Sequence, residues 1–227
     1  RHATAELKKR FAMGQAPPFR LALWRLGPDD HLFLLCIHQI INDGWSMRIF
    51  TNELASFYRS IVAGKVAILP ELPIQYADFA IWQIDQFERS ELTSEMEYWK
   101  KQLSGELPIL ELPLDQPRSS EKTFQGARHN ISLSGTLLQS LRYLAQRENA
   151  TLFMVLLAAF KTLIYRYSGQ EDVAIGFPVA NRVREETEQI IGVFINPLVL
   201  RSDLSRQPTF RELLARVRVM ALDAYEY

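Results

Sequence analysis

Residues 38–46 have the sequence HQIINDGWS, and the assignment of the fold starts from them. An apolar run, His31–Ile37, precedes this segment, and a helical pattern begins at Met47. Polar side chains at the end of a buried strand lie at the edge of a sheet, where ligands commonly bind. Gly44 stands beside the carboxylate of Asp43, where the backbone can need a positive φ or a close approach. The segment therefore predicts a functional loop between a strand and a helix.

Composition narrows the class of protein. Of the 227 residues, 48% are hydrophobic and 23% are charged, which is ordinary for a globular protein. Lysine plus arginine equals aspartate plus glutamate at 26 each, so no basic field indicates a nucleic acid or a membrane surface as partner. The single cysteine, Cys36, excludes a disulfide within the chain and favours the cytoplasm. Its apolar surroundings favour a buried structural thiol over a nucleophile.

The first half of the chain predicts one hairpin and several helices. Two strands, Phe19–Leu26 and His31–Ile37, flank a Gly-Pro-Asp-Asp turn, and the second strand is apolar on both faces, which favours a central, covered position. Ser46 is the predicted cap of a helix that ends near Gly64. Further helices are predicted over residues 3–11, 76–87 and 91–103.

The second half follows a Pro-rich connector, residues 105–126, which is the best candidate for a boundary between lobes. Strands are predicted over residues 127–133, 173–179 and 195–204, and a helix over 184–190. Ser134 and Thr151 are predicted helix caps, and the helix after Thr151 is apolar nearly all round. Pro208 is placed in the first turn of a last helix that Gln207 or Ser205 caps. This mixed order favours α/β layers with a mixed sheet.

Four segments, in order along nearly the whole chain, resemble motifs of one family. HQIINDGWS resembles the HHxxxDG motif of the condensation domains of nonribosomal peptide synthetases, and YADFAIW at 76–82 resembles YxDYAVW. Residues 10–20 resemble PFDLxxGPLLR in weakened form, and IGVFINPLVLR at 191–201 resembles IGxFVNTxxxR with proline at position 197. PVANR at 178–182 is similar to a stretch that precedes that last motif.

The resemblance implies a fold of the chloramphenicol acetyltransferase type, with two α/β lobes in a V-shaped pseudo-dimer. Residues 1–115 correspond to the N-terminal lobe and residues 116–227 to the front part of the C-terminal lobe. Because the chain has no initial Met and stops inside a helical pattern, we expect a fragment of a longer polypeptide, incomplete at both ends. Because half of the second lobe is missing, we expect the fragment alone to be inactive.

The resemblance also implies an amide-forming acyltransferase. In the family, the amine of an acceptor aminoacyl thioester attacks a donor acyl thioester. Phosphopantetheine arms of carrier proteins hold both substrates, so no bound cofactor is expected. Carrier proteins and adenylation domains of the same synthetase are the implied partners.

The chain departs from the motif at the catalytic position, where Gln39 replaces the second histidine. Glutamine cannot accept a proton as a base near neutral pH, but its amide offers one acceptor and two donors. It can orient an amine or donate to an oxyanion. On residue type alone, a plain polar residue at the end of a strand is the favoured interpretation. The alternative function is therefore a catalytically inactive platform that docks carrier proteins or a tailoring enzyme.

The other candidate site residues follow from the same motifs. His38 resembles the family's structural histidine. Asp43 resembles a carboxylate that pairs with an arginine, and it can also cap the following helix. The candidate partners of Asp43 are Arg20, Arg25, Arg182 and Arg201.

Gly44 is placed with the catalytic loop, and substrate contacts are expected at Trp45, Ser46 and Asn196. Core packing and a hydrogen bond at a strand end are the alternatives for Trp45 and Asn196. His2 and His129 lack nearby carboxylate or cysteine spacing, so no metal site is predicted.

Overall fold

A computed structural model describes residues 2–15, 17–89, 93–117 and 126–227 of the chain. The chain divides into two compact units, one of residues 1–91 and 178–196 and the other of residues 92–177 and 197–227. The lobe division at 115 and 116 stays a prediction about the complete domain. Part of the Pro-rich connector, residues 118–125, lies outside the described residues.

The first unit begins with helix α1 (His2–Lys8) and a hairpin of strands β1 (Phe19–Arg25) and β2 (His31–Ile37). The strands are antiparallel, which confirms the predicted hairpin. The predicted central position of β2 is wrong within the described residues, because β1 is its one partner there and Leu32 and Phe33 are 43% and 44% exposed. An apolar run does not specify how many neighbours a strand has.

Helix α2 (Gly44–Val62) follows the hairpin and begins earlier than predicted. Asp43, not Ser46, is the N-cap: its backbone is extended and its carboxylate accepts the N–H of Ser46. The helix ends before Gly64, whose φ of 65° suits a glycine. Helix α3 (Tyr76–Arg89) matches its prediction and buries Phe79 against Ile190 and Phe194.

The second unit contains four helices, each preceded or followed by the expected chain breakers. They are α4 (Thr93–Gln102), α5 (Gly135–Arg147), α6 (Leu152–Ser168) and α7 (Phe210–Glu226). Ser134 and Thr151 cap α5 and α6 as predicted. The first residues predicted for α4, Glu91 and Leu92, lie outside the described residues.

Strands β3 (Asp172–Val179) and β4 (Asn196–Asp203) pair with each other, as their apolar sequences predicted. The predicted strand over 127–133 is absent, and that segment is irregular and mostly exposed. Only Glu185–Thr187, a single 3-10 turn, forms in the segment predicted to be helical over 184–190. Thr209, not Gln207 or Ser205, caps α7, because its hydroxyl and the side chain of Glu212 form a reciprocal capping box.

Helix α6 is less buried than its sequence predicted. Val155 and Ala158 are almost fully buried, but Leu156, Phe160, Leu163 and Tyr167 are exposed within the described residues. No single described helix is long and apolar enough to cross a membrane. Helices α5 and α6 meet that test of length and composition only as a pair, bent by 103° at their break.

A buried lysine joins α6 to the two paired strands. Lys161 has no exposed surface, and its Nζ donates to the carbonyl oxygens of Val173 in β3 (3.1 Å) and Leu200 in β4 (2.6 Å). Desolvation lowers the pKa of Lys161 to about 8, although the charge of Asp172 opposes this shift. Lys161 is therefore a polar tie inside the core of the second unit.

Candidate active site

The candidate loop connects β2 to α2 through a short 3-10 turn, Gln39–Ile41. His38 caps this turn: its Nδ1 accepts the N–H of Ile40 at 3.0 Å. The imidazole is half-buried, and its ring meets the ring of Phe11 edge-on at 5.7 Å between centroids. His38 is therefore held by both polar and aromatic contacts.

Gln39 is the first residue of the turn, and its side chain is exposed. Its backbone carbonyl accepts the N–H of Asn42 at 3.4 Å. Within the part of the chain that the structure describes, no group hydrogen-bonds the Gln39 side-chain amide. The structure therefore leaves both the carbonyl and the NH₂ of this amide available to a ligand.

Asp43 is the centre of a buried polar cluster. Its carboxylate accepts the Ser46 N–H and hydroxyl, each at 2.8 Å, and the N–H of Phe194 at 3.1 Å. The Nη2 of Arg182 lies 3.2 and 3.3 Å from the two carboxylate oxygens. Each side chain of this ion pair is 1% exposed. Asp43 therefore both caps α2 and pairs with an arginine, so the two predicted roles coexist.

Among the four candidate arginines, Arg182 is the partner of Asp43. Its Nη1 donates to the carbonyl oxygens of Thr187 and Ile190, and its guanidinium lies 4.0 Å from the ring centroid of Phe194. Arg201 instead pairs with Asp172 at 2.7 Å. It also donates to carbonyl oxygens of the segment after α4, those of Gln102, Ser104 and Glu106.

Ser46 joins the loop to the segment that contains Gly192. Its Oγ accepts the Gly192 N–H at 3.0 Å and the Nη2 of Arg182 at 3.0 Å. Its single hydroxyl proton has two acceptors within reach, Asp43 Oδ1 at 2.8 Å and the Gly192 carbonyl at 2.9 Å. Ser46 has no exposed surface, so its hydroxyl is committed to the protein.

Trp45 holds the same two segments together from the helix side. Its indole Nε1 donates to the carbonyl oxygen of Glu188 at 2.9 Å. The guanidinium of Arg48 lies 4.5 Å from the centroid of the half-buried ring. The core-packing alternative for Trp45 therefore has direct support in these contacts.

Helix α3 supports the segment around residue 192 through its aromatic side chains. Tyr76 Oη donates to the carbonyl oxygen of Val193 at 2.8 Å, and its ring meets Phe194 edge-on. A Cβ on Gly192 would lie 2.1 Å from Tyr76 Cδ2, so only glycine fits beneath this ring. Phe79 contacts both Tyr76 and Trp82, and thus all three aromatics belong to one packed cluster.

The charges of the cluster respond to opposing effects. Burial raises the pKa of Asp43, but hydrogen bonds from Ser46 and Phe194 and the charge of Arg182 outweigh burial and lower it overall. Burial lowers the pKa of Arg182, and its pairing with Asp43 offsets part of this shift. An arginine stays protonated in proteins, so Asp43 and Arg182 form a charged pair at neutral pH.

The remaining predicted residues lie outside this cluster. Gly44 is exposed, has no positive φ, and a Cβ placed on it would contact nothing within 4 Å. Neither conformational reason for a glycine is therefore present in the structure. Asn196 is exposed at the first position of β4 and has no hydrogen bond to the loop. The described residues contain no group of His, Cys, Asp and Glu side chains that could hold a metal ion.

Comparison with known proteins assigns this geometry to a family. The family model described as "Condensation domain" matches residues 1–227. The chain belongs to the condensation-domain family. It is 51% identical over 227 residues to a protein of the linear gramicidin synthase from Brevibacillus parabrevis, and this match covers 100% of the chain and 4% of that protein. It is 42% identical over 217 residues to tyrocidine synthase 3 of the same organism, over 96% of the chain and 3% of that protein.

Solved structures support the same fold. The crystal structure of the X-domain from teicoplanin biosynthesis matches with a TM-score of 0.87 and 27% identity, over 98% of the chain and 50% of that structure. The complex of the X-domain and OxyB gives a TM-score of 0.86 and 28% identity, with the same coverage. The predicted mixed α/β condensation-domain fold is confirmed, and the V-shaped arrangement of lobes stays a prediction. The chain spans half of these solved chains and a few per cent of its curated relatives.

Sequence analysis missed the parts of this condensation-domain site that have no side-chain signature. The carbonyls of Thr187, Glu188 and Ile190 and the N–H of Phe194 are backbone groups. Their only signal was position, because two of the recognised motifs, at 178–182 and 191–201, enclose or contain them.

Proposed function

We propose that the complete domain to which this chain belongs forms an amide bond. The donor is an acyl or peptidyl thioester and the acceptor is the amine of an aminoacyl thioester, each carried on the phosphopantetheine of a carrier protein. The carriers and adenylation domains of the same synthetase are the proposed partners, and the cytoplasm is the proposed compartment. No bound cofactor is needed, since the phosphopantetheine arms belong to the substrates.

One observation carries this proposal: Gln39 is presented on a turn whose two ends are both anchored. His38 caps the start of the turn, and the buried Asp43–Arg182 pair holds the loop beyond its end. The side-chain amide of Gln39 is exposed and has no partner within the described residues. The replacement of histidine by Gln39 has therefore left the supporting frame of the loop intact.

In this proposal, Gln39 contacts the reacting groups through hydrogen bonds. Its carbonyl can orient the attacking amine, and its NH₂ can donate to the oxyanion of the tetrahedral intermediate. It cannot take up the amine proton, which passes to solvent or to a second substrate group. Positioning two tethered substrates contributes more to the rate than a general base, which typically supplies about 10²–10⁴-fold.

The burial of the other site residues divides their roles. We assign Asp43 and Ser46 to holding the loop, because both are almost fully buried and every polar atom of Ser46 is engaged. This assignment replaces the substrate contact expected of Ser46. Gly44 and Asn196 are exposed, so they stay candidates for contact with substrate, and the half-buried Trp45 stays one on its accessible side.

The second candidate function is a docking platform without catalysis. Gln39 supplies no base near neutral pH, and the X-domain that shares this fold has been solved in complex with OxyB from teicoplanin biosynthesis. A platform uses the outer surface of the domain, so it requires neither Gln39 nor an accessible loop. The two functions therefore predict different effects of substitution at position 39.

The test is peptide formation by the complete domain with loaded donor and acceptor carriers. Gln39 is compared with Gln39→His and Gln39→Ala, and Gln139→His, on an exposed glutamine of α5, is the matched control. We expect turnover by the natural chain, a gain of about 10²-fold or more with Gln39→His, and no change with Gln139→His. Absence of turnover in all four proteins, with carriers still bound, would remove the enzymatic proposal and favour the platform.

A further inference from the structure

The backbone around His38 shows how the turn that carries Gln39 is held. The His38 N–H donates to the carbonyl oxygen of Pro18 at 2.9 Å, and its own carbonyl accepts the N–H of Ile41 at 3.2 Å. The side chain adds a third bond, because Nδ1 accepts the Ile40 N–H at 3.0 Å. That bond is the only side-chain contact that fixes the start of the turn within the described residues.

This third bond requires one protonation state of the imidazole. A nitrogen that accepts an N–H must carry a lone pair, so Nδ1 is unprotonated and the ring proton of neutral His38 is on Nε2. In the imidazolium both ring nitrogens are donors. The Ile40 N–H would then face another donor, and the cap would be lost.

We propose that His38 is a positioning residue whose unprotonated Nδ1 holds the turn that presents Gln39, so that protonation of the imidazole releases Gln39 from its working position. The inference rests on the proposed function, in which Gln39 contacts the reacting groups. Histidine is the side chain whose charge ordinarily changes at roughly pH 5 to 8, so this release would occur near physiological pH.

The charged groups around His38 do not hold it in the protonated form. Phe11 packs against one side of the ring, and the guanidinium of Arg20 lies 4.0 Å from the centroid of Phe11. Arg20 donates to the carbonyl oxygens of Glu6 and Lys9, whose own side chains pair with each other.

The loop side of His38 supplies no charge either. Asp43 is the nearest carboxylate along the loop, and it is committed to Arg182 and Ser46. Within the described residues, no carboxylate forms an ion pair with His38. An imidazolium at this position would therefore lose the Ile40 bond and gain no anionic partner.

Gln39 makes the effect measurable. A histidine at position 39 would titrate in the same pH range as His38, and the two ionisations would overlap. A glutamine amide does not ionise there. The only other titration common to the reaction is that of the acceptor amine, which is the same for every variant and cancels when the rates of two variants are divided.

The experiment uses two amide isosteres of histidine in the complete domain with loaded carriers. His38→Asn places Oδ1 where Nδ1 lies, which keeps the acceptor for Ile40 and removes the ionisation. His38→Gln places its amide near Nε2 and lacks that acceptor. We expect His38→Asn to match the natural rate at pH 8 within about 3-fold, and His38→Gln to lose about 2- to 30-fold, the range for loss of a side-chain cap.

The pH dependence gives a readout that a merely structural role would not change. From pH 8 to pH 5.5, we expect the rate of the natural domain divided by that of His38→Asn to fall steadily. An unchanging ratio, or an Asn variant as impaired as the Gln variant, would overturn the inference.

A second measurement separates this inference from the proposed function. The amide resonance of Ile40 is followed by NMR over the same pH range in the natural domain and in His38→Asn. A shift that titrates in the natural domain alone supports the hold of His38 on the turn, even if no variant forms peptide and the proposed function fails. Turnover by a domain whose Ile40 amide does not titrate would overturn the inference and leave the function standing.

Discussion

The substitution Asp43→Ala tests the buried cluster that supports the candidate loop. It removes the carboxylate from Arg182, whose side chain is 1% exposed, and it removes the acceptor of the Ser46 and Phe194 N–H groups. Removing one partner of a buried ion pair typically costs about 3–5 kcal/mol, because the other charge stays buried without compensation. We therefore expect the free energy of unfolding of the complete domain to fall by about that amount.

The matched control is a surface ion pair in the same unit. Asp85 and Arg89 lie one helical turn apart in α3, with side chains 38% and 76% exposed. Asp85→Ala should lower the free energy of unfolding by no more than about 1 kcal/mol. Both variants are measured by urea denaturation at pH 7. If Asp43→Ala costs no more than Asp85→Ala, the cluster does not stabilise the fold as the structure indicates.

The double variant Asp43→Ala/Arg182→Leu isolates the pair itself. If the ion pair carries the effect, the cost of losing both side chains is smaller than the sum of the two single costs, because no buried charge remains. Since the pKa of Asp43 is lowered in the folded state, its stabilisation is complete above the pKa of an unfolded aspartate, about 3.9, and is lost as the pH falls below it. Asp43→Asn should remove this acid-dependent loss.

Two further predictions concern the core of each unit. Because the pKa of Lys161 is lowered to about 8, the unfolded chain binds more protons between pH 8 and about 10.4; the free energy of unfolding should rise there by on the order of 3 kcal/mol, and Lys161→Met should abolish this rise in denaturation measured at each pH. Gly192→Ala should cost about 1–3 kcal/mol, because its Cβ meets the ring of Tyr76 at 2.1 Å. The same substitution in a Tyr76→Ala background should cost clearly less, and an equal cost in both backgrounds would contradict the steric explanation.

Local sequence signals predicted most of the helices and the first hairpin correctly. The caps Ser134 and Thr151 and the terminator Gly64 act through neighbouring backbone groups, so a few residues suffice to identify them. The errors arose where two local signals compete. Ser46 and Asp43 can each cap a helix, and Asp43 does so because its carboxylate also has a partner 139 residues away in Arg182.

Burial was harder to predict than secondary structure. The apolar strand β2 and helix α6 both have exposed apolar side chains, although their sequences are typical of covered elements. Hydrophobicity records which side chains leave water in the complete assembly, whereas the number of neighbours depends on which other segments pack against them. The described residues supply only some of those neighbours.

The sequence by itself determined the family, the order of the elements and the position of the unusual residue Gln39, because these depend on residue types at short spacings. It also named Asp43 as a paired carboxylate, with four arginines as possible partners. Only the tertiary structure selected Arg182, placed Ser46 inside the cluster, and showed that Nδ1 of His38 is an acceptor. These facts depend on contacts between segments far apart in the chain, or on the orientation of one side chain, and neither is encoded in local periodicity.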